Sequence, residues 1–199
     1  MHTRVLTFTG AKHIDDGVAF VRDNAVPVLQ EQKGYRGVTA SADRDGDVLG
    51  VLTLWETEAD RDASFGPLAE IRQQGLDVVG GELMVESFEE LFVEMASPPP
   101  VRSALMVTRI SMDPAKVDEN LGWFKREVVP RITAAPGFRA LRNMMDRKTG
   151  RGLVGSAWAD HDAMKNAAAQ GQANRGEVRA RGVIFDEDSF REIVFADMP

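Results

Sequence analysis

The chain has 199 residues, 43 % hydrophobic and 28 % charged, with a formal charge of −7 and no cysteine. That composition excludes a mainly disordered chain, disulfides, thiolate zinc sites and iron–sulfur clusters, and the acidic balance speaks against a general nucleic-acid binder. No stretch reaches the ~18 consecutive apolar residues of a membrane helix, and Met1–Gly10 has no secretory core, so the expectation is a cytoplasmic protein without a membrane partner.

An internal repeat runs at an offset of 103 residues. Val26-Pro27 matches Val129-Pro130, Gly34 matches Gly137, and Arg36 matches Arg139. Asp43-Arg44 matches Asp146-Arg147, Val51 matches Val154, and Trp55 matches Trp158. These 8 identities fall within the 39 aligned positions from Val26 to Ser64, against roughly two or three expected from average composition. The pattern reads as a tandem duplication. The first repeat is taken as 1–95, a proline-rich linker as 96–101 (Pro98-Pro99-Pro100 at its centre), and the second repeat as 102–199. Residues 1–97 carry a net −10 and the remainder +3, an asymmetry that would favour docking of unlike halves.

In chain order, each half reads strand, helix, strand, strand, helix, strand. Arg4–Phe8 and Ser103–Ile110 alternate at period two. Val117, Leu121, Phe124, Val128 and Ile132 then recur at helical spacing, as do Ile14, Val18, Val21, Ala25 and Leu29. Asp113-Pro114 fits a helix start, and Pro27 and Pro130 should kink or end the regular helix. Two strands follow, about 37–43 and 49–55 in the first half and 140–146 and 152–158 in the second. Turn compositions at Asp45-Gly46-Asp47 and Lys148-Thr149-Gly150 make each pair a hairpin. The next helix is expected to be interrupted, at Pro67 and Gly75 in the first half and at Gly171 and Gly176 in the second. Glu89–Met95 and Arg191–Met198 read as closing strands. The predicted class is α+β, two ferredoxin-like βαββαβ repeats. Apolar residues on both sheet faces, Leu52 and Leu54 against Val51, Thr53 and Trp55, call for a second cover.

At this point the sequence resembles the antibiotic-biosynthesis-monooxygenase-like branch of the dimeric α+β barrel superfamily. The residues that carry the likeness are Pro130, Pro136-Gly137-Phe138, the hairpin Asp146–Gly150 and the strand end Gly155-Ser156-Ala157-Trp158. Pro27, Gly34-Tyr35-Arg36-Gly37 and Trp55-Glu56 repeat it more loosely. The resemblance implies an intramolecular dimeric α+β barrel made of two fused copies, existing as a monomer with an internal pseudo-dimer or as a homodimer. It also implies either cofactor-independent oxygenation of aromatic compounds or haem degradation. For the first, family members place an Asn four residues before the strand-end Trp; those positions here are Val51 and Val154, which cannot hydrogen-bond an enolate. For the second, they place an iron-ligating His about ten residues after that Trp; those positions are Phe65 and Ala168. His161 stands at a helix start, within a polar cluster suited to the helix dipole.

The expected function is the handling of an apolar or aromatic small molecule, with no cofactor and no metal. The candidate ligand-binding residues are Val154, Ser156 and Trp158, with Arg142 and Met144, and their first-half counterparts Thr53 and Trp55. Period-two alternation sets a small hydroxyl beside a large aromatic on one sheet face in each half, and Met106, Met144, Met145 and Met164 make the second half adaptable. No residue is assigned a catalytic role. The alternatives are an active cofactor-independent monooxygenase with relocated polar groups, such as Arg142 or Asn143, and a non-catalytic structural pseudo-dimer with filled interiors.

Overall fold

The computed structural model describes residues 1–198. Compactness divides them into two units: Met1–Glu89 with the final segment from Glu192, and Glu90–Arg191. These bounds differ from the repeat bounds because they fall inside two long strands, not at the proline-rich segment.

The first unit holds β1 (His2–Thr9), α1 (Ile14–Phe20), α2 (Val26–Gln30), β2 (Tyr35–Asp43), β3 (Val48–Trp55), α3 (Glu58–Ala63), α4 (Ala69–Val79) and the first part of β4 (Glu82–Met95). The second holds the rest of β4, then β5 (Ala104–Ser111), α5 (Val117–Trp123), α6 (Val129–Thr133), β6 (Phe138–Asp146), β7 (Arg151–Trp158), α7 (His161–Ala180) and the start of β8 (Ile184–Asp197). Hydrogen-bonded strand order runs β1-β3-β2-β8-β5-β7-β6-β4 and returns from β4 to β1. In the first unit β1 pairs antiparallel with β3 (His2 opposite Trp55) and with β4 (His2 opposite Glu89). In the second, Ala104 and Phe138 both face Trp158 across β7.

The offset that relates the sequences also relates the elements. α1, α2, β2 and β3, moved by 103, give the bounds of α5, α6, β6 and β7, and each ladder skips one residue, at Arg36 or Arg139. Retained identities have visible causes. Arg44 donates to Asp15 at 2.7 Å, and Arg147 to Asp118 at 2.7 Å, the same exposed hairpin-to-helix pair in both units. Gly34 and Gly137 sit at φ +75° and +81°, where their carbonyls accept from Glu56 and Ala159 at 2.8 and 2.7 Å. A Cβ at Gly137 would stand 2.7 Å from that of Ala163.

Three expectations are corrected in detail. The prolines do not end the helix by a simple kink. A single π turn, Val21–Ala25 or Phe124–Val128, precedes each, with Val26 N–H reaching Val21 and Val129 N–H reaching Phe124. The wider turn accommodates the N–H that Pro27 or Pro130 lacks and the room its ring needs. Gly75, Gly171 and Gly176 interrupt nothing; α4 and α7 run through them, and only the Pro67 region separates α3 from α4. Glycine lowers helix propensity by about 1 kcal/mol, but unlike proline it keeps its N–H and adds no clash. The closing strands are 14 residues each rather than about seven, beginning at Glu82 and Ile184. Residues 96–103 form no helix or strand, and the Ala96 and Ser97 amides donate to the Arg139 carbonyl.

Candidate functional site

Each unit buries its strand-end tryptophan. Trp55 and Trp158 are 0 % and 1 % exposed. Each indole meets the aromatic that opens the neighbouring strand edge-on: Tyr35–Trp55 at 5.9 Å and 72°, Phe138–Trp158 at 5.8 Å and 75°. Each indole N–H donates to the hydroxyl two residues earlier, Trp55 to Thr53 Oγ1 and Trp158 to Ser156 Oγ, both at 3.0 Å. The hydroxyl beside the aromatic therefore satisfies a buried donor that would otherwise be unpaired.

Beside Trp158 lies a cavity of about 180 Å³ between the sheet and helices of the second unit. Its sheet wall consists of three cross-strand rows: Met106–Ser156–Leu141, Thr108–Val154–Asn143 and Ile110–Gly152–Met145. Every side chain in those rows lines the cavity. Phe124, Val128 and Ile132 close it from the α5–α6 side, and Val178 and Phe185 from the other. Val154, Ser156 and Trp158 thus stand together as their alternation predicts. Arg142 and Met144 do not line the cavity. Leu141, Asn143 and Met145 take the cavity face of β6, and a period of two sends the residues between them to the other face. There Arg142 pairs with Glu90 at 3.1 Å, and burial lowers its pKa against the raising effect of that carboxylate.

Besides Ser156, two polar groups mark this wall. Asn143 is 6 % exposed, and its Oδ1 is buried without a hydrogen-bond partner. On the opposite end of the same row, Thr108 donates to Asp188 Oδ1 at 2.8 Å, and Arg175 donates to the same oxygen at 2.6 Å. Burial raises the Asp188 pKa, but the hydrogen bonds from Arg175 and Thr108 outweigh it and leave the carboxyl below its ordinary value. The signal for Asn143 was present in sequence: it is the polar residue between Leu141 and Met145 on the core-facing parity of β6.

The equivalent cavity in the first unit, about 70 Å³, is lined by Thr53 and Trp55 with Val51, Leu49 and Phe8. Arg4 stands there opposite Thr53, where the second unit has Met106 opposite Ser156.

Neither cavity has a histidine in its wall. Phe65 lies under the guanidinium groups of Arg4 and Arg72 at 4.9 and 4.1 Å, and His161 is exposed at the first residue of α7. These residues do not fit haem ligation. Among the described residues no group of three or more His, Asp or Glu could hold a metal, and no helix is long and apolar enough to cross a membrane.

The chain shares its fold with solved proteins described as monooxygenase-like or as related to antibiotic biosynthesis monooxygenases. An anthrone oxidase-like protein matches 99 % of this chain and 93 % of its own at a TM-score of 0.72, with 14 % identity. A ferredoxin-fold protein from Listeria monocytogenes related to antibiotic biosynthesis monooxygenases matches 97 % and 95 % at 0.53, with 12 % identity. A monooxygenase-like protein from Listeria innocua matches 96 % and 94 % at 0.54, with 10 % identity. By sequence, the chain is similar to two uncharacterized proteins of Mycobacterium tuberculosis strain H37Rv. One is 28 % identical over 89 % of this chain and 80 % of its own length, the other 27 % identical over 85 % and 71 %. No family profile matches the chain.

Proposed function

We propose that this protein binds a compact apolar or aromatic compound in the cavity beside Trp158 of its second unit, and that its two units arose by duplication. The observation that carries the reading is the buried, unpartnered Oδ1 of Asn143 in a mainly apolar wall. A buried amide oxygen without a partner costs about 1–3 kcal/mol, a cost that a bound hydroxyl group would relieve by donating to it. An apolar cavity of roughly 150 Å³ accepts benzene, so about 180 Å³ suits a single substituted ring or a small bicyclic compound. Three methionines, Met106, Met112 and Met145, let the wall adjust to shape.

The test is a thermal-shift and tryptophan-fluorescence screen pairing phenols with their parent hydrocarbons. Oxygenated members should bind at least tenfold more tightly, and Asn143→Leu should erase that difference while retaining hydrocarbon binding. Binding that ignores both the oxygen substituent and the substitution would sink the reading.

A second reading is an active cofactor-independent monooxygenase. It is favoured by Asn143 facing Val154, the position where the resemblance calls for an asparagine. An amide there could hold a phenolate while the substrate gives electrons to oxygen; a ring methylene would become a carbonyl, with one O2 consumed and one water released. Oxygen uptake matched one-to-one by ketone formation, and lost in Asn143→Leu, would select this reading over simple binding.

A further inference from the structure

The cavity of the first unit differs in kind from that of the second. Its polar lining residues are Arg4, Thr53 and Arg72, and no carboxylate lines it. The Arg4 side chain is 6 % exposed. It donates from Nη1 to Ser64 Oγ at 3.0 Å, and its Nε is buried without a partner. The nearest carboxylate, Asp62, stands 3.8 Å from Nη2, is itself 58 % exposed, and is already bonded by Arg61 at 2.8 Å. Arg72 adds a second guanidinium over the Phe65 ring, 4.1 Å from its centroid. Arg4 and Arg61 thus share Asp62, Glu58 pairs with Arg61, both carboxylates are mostly solvated, and Arg72 adds a further positive charge near Arg4. Burial, then the neighbouring charge of Arg61, depresses the Arg4 pKa to about 10, as expected where positive charge exceeds its compensation.

Around this charge the wall is apolar: Leu6, Phe8, Leu49, Val51, Leu68 and Ile71 all line it. A buried guanidinium with an unpartnered N–H in the wall of an apolar pocket suits a carboxylate carrying a hydrocarbon tail. A dianion would find too little charge and too much hydrocarbon. About 70 Å³ leaves room for a tail of a few carbons.

We propose that the first unit binds a small apolar monocarboxylate, with Arg4 holding the carboxylate and the Leu6–Ile71 wall holding the tail. This site is separate from the Asn143 cavity. Its ligand class follows from Arg4 standing where the second unit has Met106.

The experiment is calorimetric titration of the full chain with butyrate and valerate, against butyramide as the uncharged isostere. Butyrate should saturate and bind at least tenfold more tightly than butyramide. Arg4→Met, which copies the second unit's residue, should abolish the preference for butyrate over butyramide. Ile71→Trp, which keeps Arg4 and fills the pocket, should abolish binding of both, and guards against misfolding of the first variant. Asn143→Leu should change none of this. Absence of saturable butyrate binding, equal affinity for butyramide, or butyrate binding that survives both Arg4→Met and Ile71→Trp would overturn the proposal.

Discussion

Asn143 stands directly across the β6/β7 ladder from Val154, and both side chains face the same cavity. The first unit has Ala40 opposite Val51 at the equivalent pair, so the amide is a feature of one unit alone. Because its Oδ1 is buried and unpartnered, it costs the ligand-free protein stability. Asn143→Leu should therefore raise unfolding free energy, by about 1 kcal/mol in urea denaturation. A gain in stability joined to a loss of ligand discrimination is what a residue kept for binding should show. A destabilised Leu variant would mean that the amide has a structural partner in solution.

The indole–hydroxyl pairs make a matched prediction. Removing Ser156 Oγ or Thr53 Oγ1 leaves a fully buried Trp158 or Trp55 N–H without its acceptor. Ser156→Ala and Thr53→Val should each destabilise by about 1–3 kcal/mol. In the background of Trp158→Phe, which has no N–H, Ser156→Ala should cost much less, and a double-mutant cycle reads the difference. Additive costs would show that the hydroxyl matters for packing rather than for the indole.

Asp188 ties β8 to α7 through Arg175 and to β5 through Thr108. Its folded pKa lies below the unfolded value, so the carboxylate contributes stability that is present above the unfolded pKa, near 4. That contribution is lost as pH falls through the folded pKa. Asp188→Asn should cost roughly 1–3 kcal/mol at pH 7, and the gap between variant and wild type should narrow as the pH drops below 4. A gap independent of pH would assign the loss to geometry rather than charge.

Much of this was legible from residues alone, for identifiable reasons. The 103-residue offset marks the same elements because Gly34 and Gly137 need left-handed backbone, and Arg44 and Arg147 each reach a helix carboxylate. Trp158, Ser156 and Val154 fall together because a strand has only two faces. The β6 side of the site was harder. Arg142 and Asn143 are adjacent, and choosing between them requires the strand's parity, which the skipped residue at Arg139 resets. The pairing of Arg4 with Ser64, 60 residues away, has no local signature at all. The full length of β4 and β8 was hidden for another reason. Glu82–Ser87 sets three consecutive apolar residues between Glu82 and Glu86, and Ile184–Ser189 runs Asp186, Glu187 and Asp188 together, so neither shows the period-two alternation of a strand.

Helix α7 supplies the last prediction, since it carries two glycines that sequence reasoning takes for breaks. Gly176 lies in its interior, has no atom within 4 Å of where a Cβ would sit, and does not line the cavity. Gly176→Ala should therefore gain most of the helix-propensity difference, about 0.5–1 kcal/mol, with no packing penalty. Gly75 in α4 is a control with the opposite constraint: it is buried, and a Cβ there would meet Phe20 Cε1 at 3.4 Å. Gly75→Ala should gain less than Gly176→Ala, or lose stability if the Phe20 ring cannot shift. Thermal denaturation of the two variants side by side separates propensity from packing. A loss at Gly176 would mean that the α7 backbone departs from helix there in solution, and would restore the interrupted reading of that segment.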